Sequence, residues 1–384
     1  MERVQEQVEH HYHSSLVERV RADGSVLVSG STTIRLAKQF GFCYGVERAI
    51  DLAYAARKVF PEARLFLIGE IIHNPEVNSQ IAALGIRNLL DASGRPHVED
   101  LGPEDVVIVP AFGTTLPLVE EIKQHGCRIV DTTCGDVMSV WKRVRQNATE
   151  EVTSIIHGKA SHEETLATAS RALGKGNGRY LIVLNLEEAA RVRDFIAGRM
   201  TREEFLREFV GRFSEGFDPS LHLLRIGVAN QTTMLREETE AVQSLLRDAI
   251  IARDGDAKNF RLFDTICGAT QERQDALKAL LESSLDLLLV VGGYNSSNTT
   301  HLAEMGEQKI PTYFIRNQEC LETPGLIRHF DLHAKEEITS LLEWLPEGGK
   351  EARIGITAGA SCPNNLIEEV ILRVLALRGE RLTD

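Results

Sequence analysis

Two stretches of the sequence share one plan: CRIVDTTCGDVMSVWKRVRQ at 127–146 and FRLFDTICGATQERQDALKAL at 260–280. A third stretch, TIRLAKQFGFCYGVERAIDLA at 33–53, has the same layout. In each one an apolar strand leads to a cysteine, and a small residue then opens a helical segment. Short apolar strands alternate with helical segments along the rest of the chain. This alternation predicts an α/β fold with mainly parallel sheets.

The strands that follow each cysteine also repeat. The next strand ends at Gly69, Gly158 or Gly292, and a third strand at 106–115, 222–233 or 352–361 runs into a polar loop. The chain therefore reads as three similar α/β units. The predicted parts are an N-terminal extension (1–35), a first unit (36–133, joined by 362–384), a second unit (134–264) with a surface insertion (171–221), and a third unit (265–361).

Composition limits the possible partners. The chain has 384 residues with 43 Lys and Arg against 56 Asp and Glu, a formal charge of −13. Such an acidic balance argues against nucleic acid or an anionic membrane as the main partner. The sequence has no run of about 18 uncharged apolar residues, and acidic residues such as Glu2 and Glu6 do not fit a transit peptide. We therefore expect a cytoplasmic protein with reduced cysteines.

Cys43, Cys134 and Cys267 occupy equivalent places in the three repeats. Ligands of open parallel sheets bind beyond the carboxyl ends of the strands, where all three cysteines are expected. A [4Fe–4S] cluster is normally held by four thiolates, so three would leave one iron open to a substrate oxygen. One such cysteine alone is more often a packing residue. Its threefold recurrence favours a central metal site.

The predicted strand ends also carry neutral groups that suit a phosphate or diphosphate beside helix N-termini. A carboxylate is unfavourable beside such an anion unless it carries a proton or bonds to a hydroxyl, which makes Glu164 the candidate general acid. The neutral candidates are His73, His162, Thr232, Thr233, Ser296, Ser297, Asn298 and Ser361.

Eight motifs occur in an order that resembles the 4-hydroxy-3-methylbut-2-enyl diphosphate reductases, the family that ends the methylerythritol phosphate route to isoprenoids. The resemblance covers about residues 36–375 and is interrupted by the insertion. The motifs are GFCYGVERAI (41–50), GEIIHN (69–74), DTTC (131–134), His162-x-Glu164, QTT (231–233), DTIC with ATQERQ (264–274), NSSNTTHLAE (295–304) and TAGAS (357–361).

The resemblance implies three α/β domains around a pseudo-three-fold axis, with a [4Fe–4S] cluster held by Cys43, Cys134 and Cys267. It implies that two electrons and two protons remove an allylic hydroxyl as water, giving isopentenyl and dimethylallyl diphosphates. Thr232 would hydrogen-bond that hydroxyl and Glu164 would deliver the proton. The implied diphosphate ligands are His73, His162, Ser296, Asn298 and Ser361, with Ser297 close by.

Some features depart from the family or leave alternatives open. Phe112 stands where many members have a histidine, and a phenyl ring is no donor to an anion. A non-redox iron–sulfur lyase would need arginines such as Arg48 or Arg273 for a carboxylate, and a diphosphate-binding sensor would need no acid at Glu164. An electron donor such as ferredoxin or flavodoxin is expected. Its predicted docking site is the basic cluster of Arg191, Arg193, Arg199 and Arg202.

Overall fold

The computed structural model describes residues 2–263 and 265–382, with side chains from Glu6 onward. Asp264 of the DTIC motif lies outside the described residues. The helices are α1 (Glu2–Tyr12), α2 (Ser15–Ala22), α3 (Tyr44–Val59), α4 (Pro75–Ala83), α5 (Leu116–Gln124), α6 (Gly135–Thr149), α7 (Glu163–Ala172), α8 (Leu186–Ile196), α9 (Arg202–Glu208), α10 (Pro219–His222), α11 (Arg236–Asp254), α12 (Gly268–Leu281), α13 (Ser297–Glu307) and α14 (Asn364–Leu377).

Strands alternate with these helices over most of the chain, which confirms the predicted α/β class. The strands are β1 (Val26–Ser29), β2 (Thr32–Leu36), β3 (Leu65–Leu67), β4 (Ile86–Asn88), β5 (Val106–Val109), β6 (Arg128–Asp131), β7 (Thr153–His157), β8 (Tyr180–Val183), β9 (Ile226–Asn230), β10 (Phe260–Leu262), β11 (Leu287–Val291), β12 (Thr312–Ile315), β13 (Leu321–Thr323), β14 (Leu326–Asp331), β15 (Glu336–Leu341) and β16 (Ala352–Ala358).

Three sheets form from these strands. The largest has the order β1-β2-β16-β11-β12-β14-β13, with β15 beside β14, and the smaller sheets have the orders β10-β9-β7-β8 and β4-β3-β5-β6. Parallel pairing joins β2, β16, β11 and β12 and all strands of the second sheet. The central strands β5, β7, β9 and β11 are buried along their whole length. Such continuous apolar strands are typical of parallel sheets covered on both faces.

The three sheets have the same order of strands, but each sheet groups different strands from those of a predicted unit. The strand that leads to a cysteine pairs with the last strand of the preceding repeat. These pairs are β6 with β5, β10 with β9 and, because the chain closes on itself, β2 with β16. The N-terminal strand β2 thus completes the sheet built by the last third of the chain. The predicted boundaries at 133/134, 264/265 and 361/362 stay predictions. In the sheets, each group of strands begins with the strand after a cysteine and ends with the strand before the next cysteine.

Contacts divide the described chain into two compact units. The first unit takes the residues up to Pro61, then Glu70–Ile86, and the chain from Gly268 onward. The second unit takes Glu62–Gly69 and Arg87–Cys267. The largest sheet belongs to the first unit, and the two four-stranded sheets, apart from Ile86, belong to the second. None of the described helices is both long and apolar enough to cross a membrane.

The reading of 171–221 as a surface insertion is wrong. This segment supplies β8, an edge strand of the second sheet, and the helices α8, α9 and α10. Its residues Phe205, Phe209 and Phe217 are buried in the same apolar cluster as Ile155 and Val228 of the sheet. Burying each large ring contributes on the order of 2 kcal/mol, so the segment is part of the core rather than a loop. The capping box predicted at Thr201 and Glu204 is confirmed at the start of α9.

We expect Phe205→Ala to lower the free energy of unfolding by about 3–5 kcal/mol, the usual range for deleting a buried phenyl ring. Phe205 is fully buried and lies 4.9 Å and 4.7 Å, centroid to centroid, from the rings of Phe195 and Phe209. Val210→Ala is the control because Val210 is 74 % exposed. Urea unfolding followed by circular dichroism measures both. Equal losses for the two variants would contradict a core role for this segment.

Candidate functional site

The three cysteines occupy one backbone environment. Each follows a parallel strand and precedes a helix: Cys43 is the N-cap of α3, Cys134 is the N-cap of α6, and Cys267 comes directly before α12. The N–H of each cysteine donates a hydrogen bond to a carbonyl two residues beyond the end of the neighbouring strand. These bonds are Cys43 to Ala360 (3.3 Å), Cys134 to Ala111 (2.8 Å) and Cys267 to Thr232 (3.2 Å).

In the first unit, the loops after β2, β16 and β11 lie at one edge of the sheet. Leu36 is in register with Ile356, and Val291 with Ala358, so the three strands end together. Cys43 is bonded to the backbone of Ala360, whose N–H donates to Asn298 Oδ1 (2.9 Å). Cys43 and Asn298 therefore both contact the backbone of Ala360, which is followed directly by Ser361.

His73 is fixed by an acidic neighbour in the same unit. Its Nδ1 lies 3.0 Å from Glu70 Oε2, and Asn295 Nδ2 donates to that same oxygen (2.7 Å). Asn295 Nδ2 also lies 3.2 Å from His73 Nδ1, so Glu70 and Asn295 together hold this side of the ring. The Ser361 hydroxyl donates to the backbone carbonyl of His73 (3.1 Å), which ties the two loops together.

The N-terminus of α13 lies in the same unit and carries three of the predicted residues. Ser296 is the N-cap, and its Oγ accepts from the N–H (3.3 Å) and the hydroxyl (2.9 Å) of Thr299. Ser297 opens the helix and is half-buried. Asn298 is 3 % exposed, and its buried Nδ2 has no hydrogen-bond partner among the described residues. A buried amide donor at a helix N-terminus is suited to an anion.

Glycine allows two loops of this unit to approach each other closely. A Cβ on Gly293 would lie 2.4 Å from the carbonyl oxygen of His73, and a Cβ on Gly359 would lie 2.0 Å from Thr299 Oγ1. Neither position has room for a side chain. The close approach of Gly293 to His73 is what lets the loop after β11 lie against the segment that carries the histidine.

Two arginines that the sequence analysis did not place here hold the loop before Cys43. Arg21 donates to the Phe40 carbonyl (2.8 Å) with its guanidinium 4.1 Å from the Phe40 ring centroid. Arg273, 4 % exposed, donates to the Gly41 carbonyl (2.5 Å). Burial and the neighbouring charge of Arg273 lower the pKa of Arg21. Since Arg273 already binds backbone carbonyls, it does not serve as the carboxylate clamp that a lyase would need.

In the second unit, Glu164 and Thr232 form a buried pair. Glu164 is 3 % exposed and Thr232 is 5 % exposed. The backbone N–H of Thr232 donates to Glu164 Oε1 (2.6 Å), and the Thr232 hydroxyl donates to Oε2 (3.0 Å). The same Thr232 accepts the Cys267 N–H through its carbonyl. The predicted acid, the predicted hydroxyl and one predicted cysteine are therefore neighbours in space, although 103 residues (267 − 164) separate them in sequence.

His162 caps the helix that carries Glu164. Its Nδ1 accepts the backbone N–H of Glu164 (3.1 Å). A backbone N–H can only donate, so Nδ1 is the unprotonated nitrogen and the neutral ring carries its proton on Nε2. His162 can therefore donate to an anion through Nε2.

Phe112 forms an apolar wall beside this histidine. Its ring is 8 % exposed and meets the His162 ring edge to face, with the centroids 6.2 Å apart. The Phe112 loop is fixed by Arg171, which donates to the Thr114 carbonyl (2.6 Å) and lies 3.3 Å over the Trp141 ring. Burial lowers the pKa of Arg171 to about 10. Phe112, which cannot donate a hydrogen bond itself, thus packs against His162, which can.

Thr233 is next to the Glu164–Thr232 pair in sequence but makes different hydrogen bonds. Its half-buried hydroxyl accepts from Gln231 Nε2 (2.9 Å). Gln231 in turn accepts the Lys159 N–H (3.1 Å) and the Thr165 hydroxyl (3.2 Å) through Oε1. Gln231 therefore joins the loops after β7 and β9, a role that its place in the QTT motif did not reveal.

The three equivalent cysteines are better suited to hold an iron–sulfur cluster than the other three cysteines are. Cys43, Cys134 and Cys267 are unbridged and half-buried, and each lies at the start of a helix. Cys362 and Cys127 lie outside the three equivalent positions, and burial raises the pKa of both thiols. Cys320 is buried beside the hydroxyl of Tyr294. Three equivalent thiols with no fourth in the repeat match a cluster that keeps one iron open.

The basic cluster predicted in the segment 171–221 is partly offset by acidic neighbours. Arg193 and Arg199 both pair with Asp194 (2.8 Å and 3.7 Å), and Arg202 pairs with Asp218 (3.1 Å). Such ion pairs weaken the local positive field that would attract an acidic partner. Arg191 is exposed. The docking role of this cluster stays a prediction.

Comparison with known proteins gives a consistent result. The model of the LytB protein family matches residues 34–375. A 4-hydroxy-3-methylbut-2-enyl diphosphate reductase of Gloeobacter violaceus is 47 % identical over 384 residues, covering 98 % of this chain and 90 % of the relative. A protein of the same name from Thermosynechococcus vestitus is 45 % identical over 381 residues, covering 98 % of this chain and 92 % of the relative.

Two solved structures are also similar. The structure of (E)-4-hydroxy-3-methyl-but-2-enyl diphosphate reductase, described as the terminal enzyme of the non-mevalonate pathway, is 26 % identical with a TM-score of 0.54 and covers 89 % of this chain and 98 % of its own. A Plasmodium falciparum reductase structure is 20 % identical with a TM-score of 0.64, covering 90 % of this chain and 89 % of its own. The second likeness supports the fold alone.

We expect Arg21→Met to speed alkylation of Cys43 in the metal-free protein by about tenfold or more. A hydrogen bond from a charged donor contributes about 1.5–3 kcal/mol, and its loss frees the loop before Cys43 to open. Mass spectrometry after iodoacetamide pulses measures each thiol separately, with Cys134 as an internal reference. The control is Arg19→Met on the exposed side of α2. Equal Cys43 rates in both variants would show that Arg21 does not hold this loop.

Proposed function

The chain belongs to the LytB protein family, and from that premise we propose that it is a 4-hydroxy-3-methylbut-2-enyl diphosphate reductase. The reaction removes the allylic hydroxyl of its substrate with two electrons and two protons. One proton leaves with the hydroxyl as water, the other is added to the carbon skeleton, and the products are isopentenyl and dimethylallyl diphosphates. The observation that carries the proposal is the buried Glu164–Thr232 pair, bonded through Thr232 to the backbone of Cys267.

We assign the cofactor to the three equivalent cysteines. Cys43, Cys134 and Cys267 would hold a [4Fe–4S] cluster, supported by their shared backbone environment and by the family. When bound, such a cluster supplies electrons and offers one open iron as a Lewis acid. The hydrogen bonds from the cysteine N–H groups to Ala360, Ala111 and Thr232 fix the backbone of each ligand before any metal binds.

The polar strand ends would anchor the diphosphate. Asn298 offers a buried amide donor at the start of α13, and His162 offers a neutral Nε2–H donor. His73 would contribute its ring, which Glu70 and Asn295 hold through Nδ1. Ser296, Ser297 and Ser361 supply hydroxyls at the same strand ends. Anchoring the diphosphate fixes the hydroxyl end of the substrate, which converts an encounter into an oriented reaction.

Glu164 and Thr232 would deliver the proton to the leaving hydroxyl. In the structure the Thr232 hydroxyl donates to the Glu164 carboxylate. A hydroxyl can donate one hydrogen bond and accept two, so protonation of Glu164 reverses this bond. The Thr232 hydrogen then becomes available to the substrate oxygen, and that oxygen leaves as water rather than as hydroxide.

We keep two further points as predictions. The electron donor is expected to be a protein such as ferredoxin or flavodoxin, and the protein is expected to work in the cytoplasm. A sensor that only binds diphosphate would be indifferent to the acid at position 164, which makes Glu164 the decisive residue.

Glu164→Gln should lower kcat by about 10²–10⁴-fold, the usual contribution of a positioned general acid, and should change KM for the allylic diphosphate little. The amide keeps the shape and a carbonyl oxygen for Thr232 but carries no acidic proton. The control is Glu163→Gln on the adjacent residue, whose side chain is 56 % exposed. Dye-driven turnover under anaerobic conditions measures both variants. Equal kcat values would remove Glu164 from the reaction.

Anaerobically purified protein should contain about four iron and about four sulfide per chain. Cys43→Ser, Cys134→Ser and Cys267→Ser should each lower the iron content and change the electron paramagnetic resonance of the reduced cluster. Cys127→Ser should leave both unchanged because the Cys127 thiol donates to the Gly102 carbonyl (3.3 Å), at the opposite end of β6 from Cys134. Zinc in place of iron, or normal iron in all three variants, would overturn the assigned ligand set.

A further inference from the structure

The edge strand β10 of the second unit is flanked by α6 and α11. The Phe263 carbonyl, just after β10, accepts from Gln243 on α11 (3.1 Å), and Arg143 on α6 lies 5.4 Å from the Phe263 ring centroid. A groove of about 390 Å³ runs between β10 and α11. Its lining includes Gln243, Arg247, Leu262, Phe263 and Ile266. Ile266 is joined by one peptide bond to Cys267, a proposed cluster ligand.

Basic side chains lie on both helices beside this groove. Arg247 on α11 lines it, and Arg143 on α6 contacts the Phe263 ring that also lines it. Glu240, the acidic residue of the lining, pairs with Arg236 (3.6 Å). Lys142, Arg143 and Arg145 on α6 and Arg247 on α11 are exposed, and we call these four residues the cationic face. Among the described residues, none of their side-chain nitrogens makes an ion pair or a hydrogen bond. Arg193, Arg199 and Arg202 in the segment 171–221 differ because acidic neighbours pair with them. The cationic face is therefore a local positive region on a chain of net charge −13.

An apolar side chain lies within the groove. Leu262, at the end of β10, is 59 % exposed. An apolar centre with a charged border is the usual anatomy of a docking surface. Unpaired border charges mainly increase the rate of encounter and select the partner's sign. A small surface of this kind fits a brief contact rather than a permanent complex.

We propose that the cationic face and Leu262 form the docking surface for an acidic one-electron carrier protein. This inference rests on the proposed function, which consumes two electrons in each cycle. Two reduced carriers would dock in turn, each giving one electron and leaving oxidised. With two protons, these two electrons replace the allylic hydroxyl by hydrogen and release water, and the diphosphate group is unchanged. Electrons would enter along the short segment from Ile266 to Cys267.

Charge complementarity selects this partner over others. A chain of net charge −13 repels an acidic protein at long range, so productive docking needs a positive region near the redox centre. The cationic face supplies it beside the loop that carries Cys267. A second copy of this chain is a poorer match because its negative charge is spread over the whole sequence. Sedimentation distinguishes such self-association from docking of a carrier protein.

The experiment compares two double charge reversals. Arg143→Glu with Arg247→Glu changes the cationic face, and Arg191→Glu with Arg199→Glu changes the segment 171–221 by the same net charge. The probe is reduced plant-type ferredoxin, an acidic one-electron carrier. Calorimetric titration gives its Kd for each chain, and turnover is measured with ferredoxin and, separately, with a reduced viologen dye.

We expect the Arg143→Glu/Arg247→Glu protein to bind ferredoxin about tenfold or more weakly, with KM for ferredoxin raised by a similar factor at low salt. Its viologen-driven rate should equal that of the unmodified chain, and the Arg191→Glu/Arg199→Glu protein should match the unmodified chain in both assays. The difference should shrink as ionic strength rises.

Equal weakening by both pairs of substitutions, or no weakening by either, would overturn the proposal. Sedimentation showing self-association that only Arg143→Glu/Arg247→Glu abolishes would assign the face to a second copy instead. Absence of viologen-driven turnover in the unmodified chain would count against the proposed reductase. The calorimetric binding data would still decide the docking surface, so the two failures are distinguishable.

Discussion

One hydrogen bond, made three times, organises this protein. A cysteine N–H donates to the carbonyl two residues beyond the end of the adjacent parallel strand, at Cys43, Cys134 and Cys267. Parallel pairing places the carboxyl ends of neighbouring strands at the same edge, so the bond can form only if the strand before the cysteine lies next to that strand. It couples the order of strands in each sheet to the position of a thiol. The polar residues of the site lie on these loops or on the loops of the next strand.

The repeat explains how much of this the sequence could predict. Strand, cysteine and helix follow each other locally, so the α/β class and the three equivalent cysteines could be read from patterns alone. The partner of each strand could not. The strand before Cys43 has the same local pattern whether it pairs with β3 or with β16, and the closure of the last sheet by the N-terminal β2 is a contact between residues about 320 positions apart (354 − 34).

Other misses have the same physical origin. Phe205 was assigned to a surface insertion because its burial depends on Phe195, Phe209 and Phe217, which come together only in the folded chain. Arg21 had no predicted role and Arg273 was considered only as a carboxylate ligand, yet both donate to carbonyls of the loop before Cys43. By contrast, Glu164 could be selected in advance, because a carboxylate among neutral anion-binding groups conflicts electrostatically with its surroundings. A local conflict is visible in sequence, whereas a long-range contact is not.

The loops are equivalent in backbone but differ in chemistry. The loop after β9 carries Thr232, whose carbonyl serves the Cys267 N–H while its hydroxyl serves Glu164. The corresponding loop after β5 carries Ala111 and Phe112, and the Phe112 ring packs against the His162 ring. Phe112 offers no donor of its own, so the donor that this part of the second unit would present to a diphosphate is His162 Nε2, because His162 Nδ1 already accepts the Glu164 N–H.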